Sequence, residues 1–396
     1  MKFGRAFLSL IGAAVAVGAM PAAAQDGRSE SCADGEVGLH LDFEGAGGRD
    51  CERTDTGFAI TIAPETTPIN RSPWYAFDIT AEQPATVEVE LRYTYGEHRY
   101  VPKIEVRDTS RAEMEPSVST EDLGERAILT LTLPAGRFRV SAQPVIPSPD
   151  RVAWARGFAE ASDFSFHIAG ASREGRNIVR LTSDVSDSPL IVLLLGGQHP
   201  PEVSGSLAMR AFLERIAEDG ALANRFRARF RIDAFPLLNP DGIAAGHWRT
   251  TAGLEDLNRD WGIYSQIESH AVGSFVYDRW QAGERPVLMV DFHATRVGDV
   301  LYVPQPDAPG VEPFLSNWIA RVDARMGDEP GFEPITGNNP GLPTARSWFT
   351  RTFHRPGVTL EIGDETDLAR TQRLARAAAE AMMAQLLEDF PPAETD

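Results

Sequence analysis

The sequence predicts an α/β fold, a mostly parallel mixed sheet flanked by helices, preceded by an all-β sandwich. Three observations carry this expectation. Between residue 25 and about residue 160, short runs alternate apolar and polar side chains, as in Val87-Glu88-Val89-Glu90-Leu91, with Gly and Pro between them and no sustained helical period. From about residue 165, runs that are apolar on both faces alternate with segments of helical spacing, the pattern of a parallel sheet with crossover helices. A length of 396 residues leaves room for two hydrophobic cores.

Taken from the N-terminus, Lys2 and Arg5 precede an apolar stretch from Ala6 to Met20 and the small residues Ala22-Ala23-Ala24. This is the pattern of a secretory signal peptide. Residues 1–24 are therefore expected to be cleaved near Ala24, the mature chain to start near Gln25, and the protein to be secreted or periplasmic. No other apolar run reaches spanning length, so no membrane span is expected after signal removal. The two cysteines, Cys32 and Cys51, are expected to pair in an oxidising compartment. A metal role for them is disfavoured, because no third Cys or nearby His completes a site. The 25–160 segment is assigned to a β-sandwich, with further β-rich runs at 127–133 and 138–140. Pro144-Val145-Ile146-Pro147-Ser148-Pro149 reads as a boundary. Within 165–390, strands are expected at 190–195, 230–238, 285–292 and 357–362, and helices at 203–218, 311–325 and 368–387. The formal charge of −19, which falls to −21 on loss of Lys2 and Arg5, argues against nucleic-acid or anionic-lipid partners.

The chemistry sits at the strand ends of this second region. His199 and Glu202 lie in Gly196-Gly197-Gln198-His199-Pro200-Pro201-Glu202, directly after the first buried strand. His293 ends another strand in Val290-Asp291-Phe292-His293, and Glu361 lies in Val358-Thr359-Leu360-Glu361-Ile362. Two imidazoles and a carboxylate are the ligand set of a hydrolytic zinc site with one position open for water. A further carboxylate that is not a ligand serves such a site as proton shuttle. Each motif is weak alone, and a His on an apolar strand is more often a satisfied core group. What lends them weight is that all fall at strand ends of one sheet, where such folds collect functional groups. Asn239-Pro240-Asp241-Gly242 is a turn sequence. It is followed by Gly246-His247-Trp248-Arg249 and by Asp256-Leu257-Asn258-Arg259-Asp260-Trp261, which place Arg249 and Arg259 as carboxylate-gripping cations beside the proposed metal.

With these motifs in hand, the sequence resembles the zinc carboxypeptidase (metallocarboxypeptidase) family over about residues 172–387. It is most similar to the cytosolic-carboxypeptidase-like branch, whose members carry a β-sandwich before the catalytic domain; Ser72-Pro73-Trp74-Tyr75-Ala76-Phe77 looks like part of that sandwich. The resemblance implies one Zn2+ per chain held by His199, Glu202 and His293. It implies Asn258 and Arg259 on the substrate's C-terminal carboxylate and Arg249 on the oxyanion, the last worth about 3 kcal/mol by comparison with other oxyanion donors. It implies Glu361 as general base towards the zinc-bound water, and Asp256 as hydrogen-bond acceptor fixing the His199 tautomer. The expected activity is removal of C-terminal residues from peptides with a free C-terminal carboxylate. Two departures stand out. The family's Tyr between the last ligand and the catalytic Glu is missing, with Trp348 or Phe349 in its place, and Pro200-Pro201 separates the first two ligands. Arg346, upstream of Glu361, is expected to favour an acidic C-terminal side chain, or else to be a surface residue. Two other readings stay open at this point: an N-acyl amino acid deacylase of the aspartoacylase type, and a catalytically silent peptide-binding module.

Overall fold

The computed structural model describes residues 31–108, 115–183, 188–304, 313–336 and 341–391. The expected signal peptide, 1–24, lies outside the described residues.

The first part folds as strands β1 (Ser31–Asp34), β2 (Val37–His40), β3 (Arg49–Arg53), β4 (Gly57–Ile62), β5 (Ala76–Ala81), β6 (Ala85–Tyr93), β7 (Lys103–Asp108), β8 (Ser117–Asp122), β9 (Arg126–Leu133) and β10 (Gly136–Ser141). They form two five-stranded sheets, ordered β1-β2-β5-β10-β7 and β3-β4-β6-β9-β8. Period-2 patterning explains why: on β6 the residues Val87, Val89 and Leu91 point inward and are buried, while Glu88 and Glu90 point outward. The inward faces of both sheets meet in one core containing Leu39, Ile60, Phe77, Val89, Leu129 and Phe138, which makes the unit a sandwich. Cys32 and Cys51 are disulfide-bonded and tie β1 to β3 across the two sheets.

The second part runs α1 (Ser148–Glu160), β11 (Phe164–Ala171), β12 (Asn177–Ser183), β13 (Leu190–Gly196), α2 (Val203–Ala217), α3 (Ala221–Arg229), β14 (Arg231–Leu237), α4 (Pro240–Ala245), α5 (Ile267–Gln281), β15 (Arg285–Thr295), β16 (Val300–Val303), α6 (Phe314–Met326), β17 (Glu333–Thr336), α7 (Ala345–Phe353), β18 (Gly357–Gly363) and α8 (Leu368–Asp389). The eight strands form one sheet, β11-β12-β14-β13-β15-β18-β16-β17. Its centre, β14-β13-β15-β18, is parallel, and antiparallel pairs flank it on both sides. All seven residues of β13 are buried, as a strand covered by helices on both faces requires. The helix α1 falls inside the 25–160 span assigned to the β-sandwich, yet its Ala155 and Phe158 join the core of the α/β unit. Its weak periodicity hid it from sequence reading; Pro147 at the N-cap and Pro149 in the first turn set its start.

The two units are joined by polar locks. Arg99 grips Asp364 through Nε and Nη2, each 2.8 Å from Oδ2. The Gln143 amide donates to the Asp364 carbonyl at 2.7 Å. In the opposite direction Trp248, on the loop after α4, is buried in the sandwich core. Truncating a buried Trp of this kind costs about 3–5 kcal/mol. Gly246, at φ +64°, ends α4 in the left-handed region and lies against the Ala46 backbone, where a Cβ would overlap the carbonyl.

Candidate metal centre and its cavity

The strand β13 delivers the first two residues of the site. At Gly197 the chain turns with φ +69°, a conformation that L side chains rarely adopt. His199 follows in the loop, and Glu202 sits at the N-cap of α2, where the helix dipole favours a carboxylate. His293 lies near the end of β15 and pairs in register with Glu361 of β18. Helix α2 crosses this pair at Gly205, whose missing side chain leaves room for the His293 carbonyl. A Gly205→Ala change would force helix and strand apart. We expect it to lower zinc stoichiometry as well as thermal stability; a variant with full zinc content would show that the crossing has slack.

Three ligand atoms converge. His199 Nδ1 lies 2.8 Å from Glu202 Oε1, His293 Nδ1 lies 2.6 Å from Glu202 Oε2, and the two Nδ1 atoms are 3.1 Å apart. The outward ring nitrogens both face carboxylates: His199 Nε2 to Asp256 Oδ1 at 3.0 Å and His293 Nε2 to Asp291 Oδ2 at 2.7 Å. An ionised carboxylate only accepts, so each Nε2 carries the proton. The two Nδ1 lone pairs then point at each other and at a third acceptor. Such a cluster requires protons or a cation between its members. This donor set, His₂Glu with a carboxylate behind each imidazole, fits zinc.

The electrostatics agree. Burial penalises the Glu202 charge, but the two imidazoles outweigh it and hold the carboxyl well below its usual range. Burial likewise opposes charge on Asp256, and His199 and Arg249 again win, keeping it far below the usual carboxylate range. His293 is raised well above 6.5, because Asp291 and Glu202 outweigh its burial. Burial pushes Glu361 up to about 7; His293 opposes that rise and the like charge of Glu202 adds to it. Glu361 is thus a carboxyl able to take up and release a proton near neutrality.

Around this centre lies a cavity of about 450 Å³. Arg249, Asn258, Arg259, Arg346 and Glu361 all line it together with His199, Glu202 and His293. Arg249 Nε donates to Asp256 Oδ2 at 2.6 Å, and its Nη1 lies 3.9 Å from Glu202 Oε1. The Asn258 Oδ1 accepts from the Ala345 amide at 2.9 Å, and its Nδ2 lies 3.4 Å from His293 Nε2. Arg259 Nη1 donates to the Asn258 carbonyl at 2.7 Å. Arg346 donates to the Val303 carbonyl at 2.9 Å and is only 6% exposed, which rules out the surface role for it.

Two expectations need correction. Trp348 and Phe349 do not cover the cavity; they are buried in a core with Trp261 and Ala345, because α7 turns that face towards β15 and β18. The aromatic hydroxyl at the cavity belongs to Tyr302 of β16, paired opposite Thr359. Further residues were missed. Asp291 lies two positions before His293 on a strand, and so on the same face; period 2 was the available signal. Gln198 donates to both Asp291 oxygens at 2.7 and 2.8 Å and accepts from Trp261 Nε1 at 2.9 Å, so a buried chain of bonds runs from the indole to the ligand ring. The contributions of the β-sandwich, among them Arg71 and Arg99 in the cavity wall, had no sequence signal at all.

Residues 152–294 match the family model described as "Zinc carboxypeptidase". Among curated proteins, the chain is 33% identical over 98 residues to cytosolic carboxypeptidase 4 of Homo sapiens, covering 24% of this chain and 9% of that protein. It is 33% identical over 104 residues to an uncharacterised protein of Zymomonas mobilis, covering 26% of this chain and 27% of that one. The match thus spans under a third of the length of these relatives. A metallo-carboxypeptidase structure from Burkholderia cenocepacia superposes with TM-score 0.73 at 17% identity, covering 90% of this chain and all of that one. A metallo-carboxypeptidase from Pseudomonas aeruginosa, solved in complex with (2-guanidinoethylmercapto)succinic acid, does so with TM-score 0.69 at 17% identity over 89% of this chain and 99% of that one. At these identities the likeness is one of fold.

Proposed function

We propose, from the match of residues 152–294 to the zinc carboxypeptidase family model, that this chain is a zinc-dependent metallocarboxypeptidase removing C-terminal residues from peptides outside the cytoplasm. The observation that carries the reading is the convergence of His199, Glu202 and His293, each imidazole backed by a carboxylate, in one cavity with Glu361 and Arg249. Zinc held by these three residues would supply Lewis acidity and a water acidified to a pKa of about 7. The remaining work falls to the chain itself. Glu361 would accept a proton from the attacking water and deliver it to the leaving nitrogen. Arg249 would neutralise the oxygen on which charge develops. Arg259 and the Asn258 NH₂ would bind the terminal carboxylate, which restricts attack to chain ends. Asp256 and Asp291 would hold the two rings in the Nε2–H tautomer. Asn70 and Ser72 of the β-sandwich also line the cavity, which we read as favouring a peptide over a small N-acyl amino acid.

A peptide-library digest read by mass spectrometry tests the proposal. Residues should be lost from the C-terminus only, and loss should stop on zinc chelation or C-terminal amidation. Internal cleavage, or equal cleavage of amidated peptides, would refute it. Arg346 gives a second expectation: peptides ending in Glu should be cleaved faster than those ending in Leu or Lys. Arg346→Gln should cut the Glu-over-Leu ratio by about tenfold or more, the worth of one charge-assisted hydrogen bond; an unchanged ratio would remove Arg346 from specificity. The proposed location is checked by sequencing the N-terminus of exported protein, expected near Gln25.

A further inference from the structure

Besides the residues it gives to the cavity wall, the β-sandwich sends one carboxylate, which does not line that cavity, to the loop that carries Arg249. Glu65 follows β4, and its side chain accepts three successive backbone amides from the other unit. Oε2 accepts from Trp248 N at 2.8 Å, and Oε1 accepts from Arg249 N at 2.9 Å and Thr250 N at 2.6 Å. Consecutive amides aimed at one anion form a nest, a strong and directional anchor. The neighbouring Trp248 side chain is buried in the sandwich core. From the opposite side Asn239 Nδ2 donates to the Thr250 carbonyl at 3.0 Å, while Asn239 Oδ1 accepts from Gly242 N at 2.9 Å. The three-residue segment is therefore clamped between the two units, with Arg249 at its centre. From there the Arg249 side chain runs to Asp256, which holds His199.

We propose that Glu65 is a positioning residue: it fixes the backbone from which Arg249 reaches the reacting carbonyl, so the β-sandwich completes the catalytic apparatus rather than merely shielding it. This rests on the carboxypeptidase reading for its kinetic consequence but not for its structural one. Burial alone would raise the Glu65 carboxyl; Thr250 and the other amides, with His247, overcome that and lower it, as expected of an anion held ionised by the loop.

The test compares Glu65→Gln, Glu65→Ala, Arg249→Ala and the Glu65→Ala/Arg249→Ala pair in zinc-loaded, full-length mature protein. Arg249 acts where charge develops, so its displacement should lower kcat and leave KM nearly unchanged. Losing an oxyanion donor costs about 10²–10³-fold. Glu65→Ala should approach that loss, Glu65→Gln should fall between, and the double variant should be no slower than Arg249→Ala alone. Hydrogen exchange supplies a readout independent of turnover: the amides of 248–250 should be protected in the wild type and exchange fast in Glu65→Ala. A wild-type kcat in Glu65→Ala, multiplicative losses in the pair, or unchanged exchange at 248–250 would overturn the proposal. If the wild type itself cleaves no peptide, the carboxypeptidase reading fails, and the clamp stands or falls on exchange alone.

Discussion

Glu361→Gln is expected to slow peptide hydrolysis by about 10²–10⁴-fold, the usual contribution of a general acid–base, in a protein that stays folded and carries a full complement of zinc. The separation of effects is the point. Glu361 stands in register beside His293 on the next strand but is not among the three residues that could hold a metal ion. The amide keeps its size and some of its hydrogen bonding, so the cavity should hold its shape. It cannot take a proton from water at any accessible pH. Turnover and metal content measured on the same sample check this. Turnover close to that of the wild type would put the base elsewhere, and loss of zinc would make Glu361 a ligand.

Zinc uptake should strengthen steeply as pH rises through the neutral range. His293 in the metal-free protein binds its proton well above the ordinary imidazole value, because Asp291 and Glu202 outweigh its burial. Metal must displace that proton, so apparent affinity falls about tenfold per pH unit below the raised value for each proton displaced. The sign for the metal-free protein is opposite. A base whose folded pKa is raised adds stability below its unfolded pKa, near 6.5, and loses that contribution as pH climbs through the folded value. The zinc-induced rise in Tm should therefore be larger at about pH 8 than at about pH 6. Proton release on zinc binding should appear in calorimetric titrations run in buffers of different ionisation enthalpy. A zinc increment that shrinks as pH rises would contradict this assignment. Asp291→Asn removes the carboxylate behind His293 and should cost about 10–100-fold in zinc affinity; unchanged affinity would leave Asp291 a purely structural role.

How much of this was legible in the chain follows from how local each signal is. Leu190 to Leu195 announced a strand buried on both faces, because that environment admits apolar side chains at every position. His199, Glu202, His293 and Glu361 were legible because each follows or ends such a strand, so a short motif sufficed to place it. Asp291 was legible in principle, since strand periodicity puts it on the face of His293. Helix α1 was not, because most of its apolar character is spent on a few contacts and no clear stripe results. The fate of Trp348 was also hidden: a helix with aromatic residues does not state which way it will be turned, and packing against β15 and β18 decides it.

The amino-acid sequence by itself determined the two kinds of patterning, the order of buried strands, and which residue types could meet at their ends. Those are properties of near neighbours along the chain, written in period and spacing. Only the tertiary structure decided that Glu65 would anchor the Arg249 loop, separated from it by 184 positions, that Arg346 would be buried beside the cavity, and that Tyr302 would supply the aromatic hydroxyl there. Such contacts depend on how two separately built cores dock, and docking is selected by shape and by buried polar satisfaction across the joint, neither of which leaves a periodic trace in the sequence.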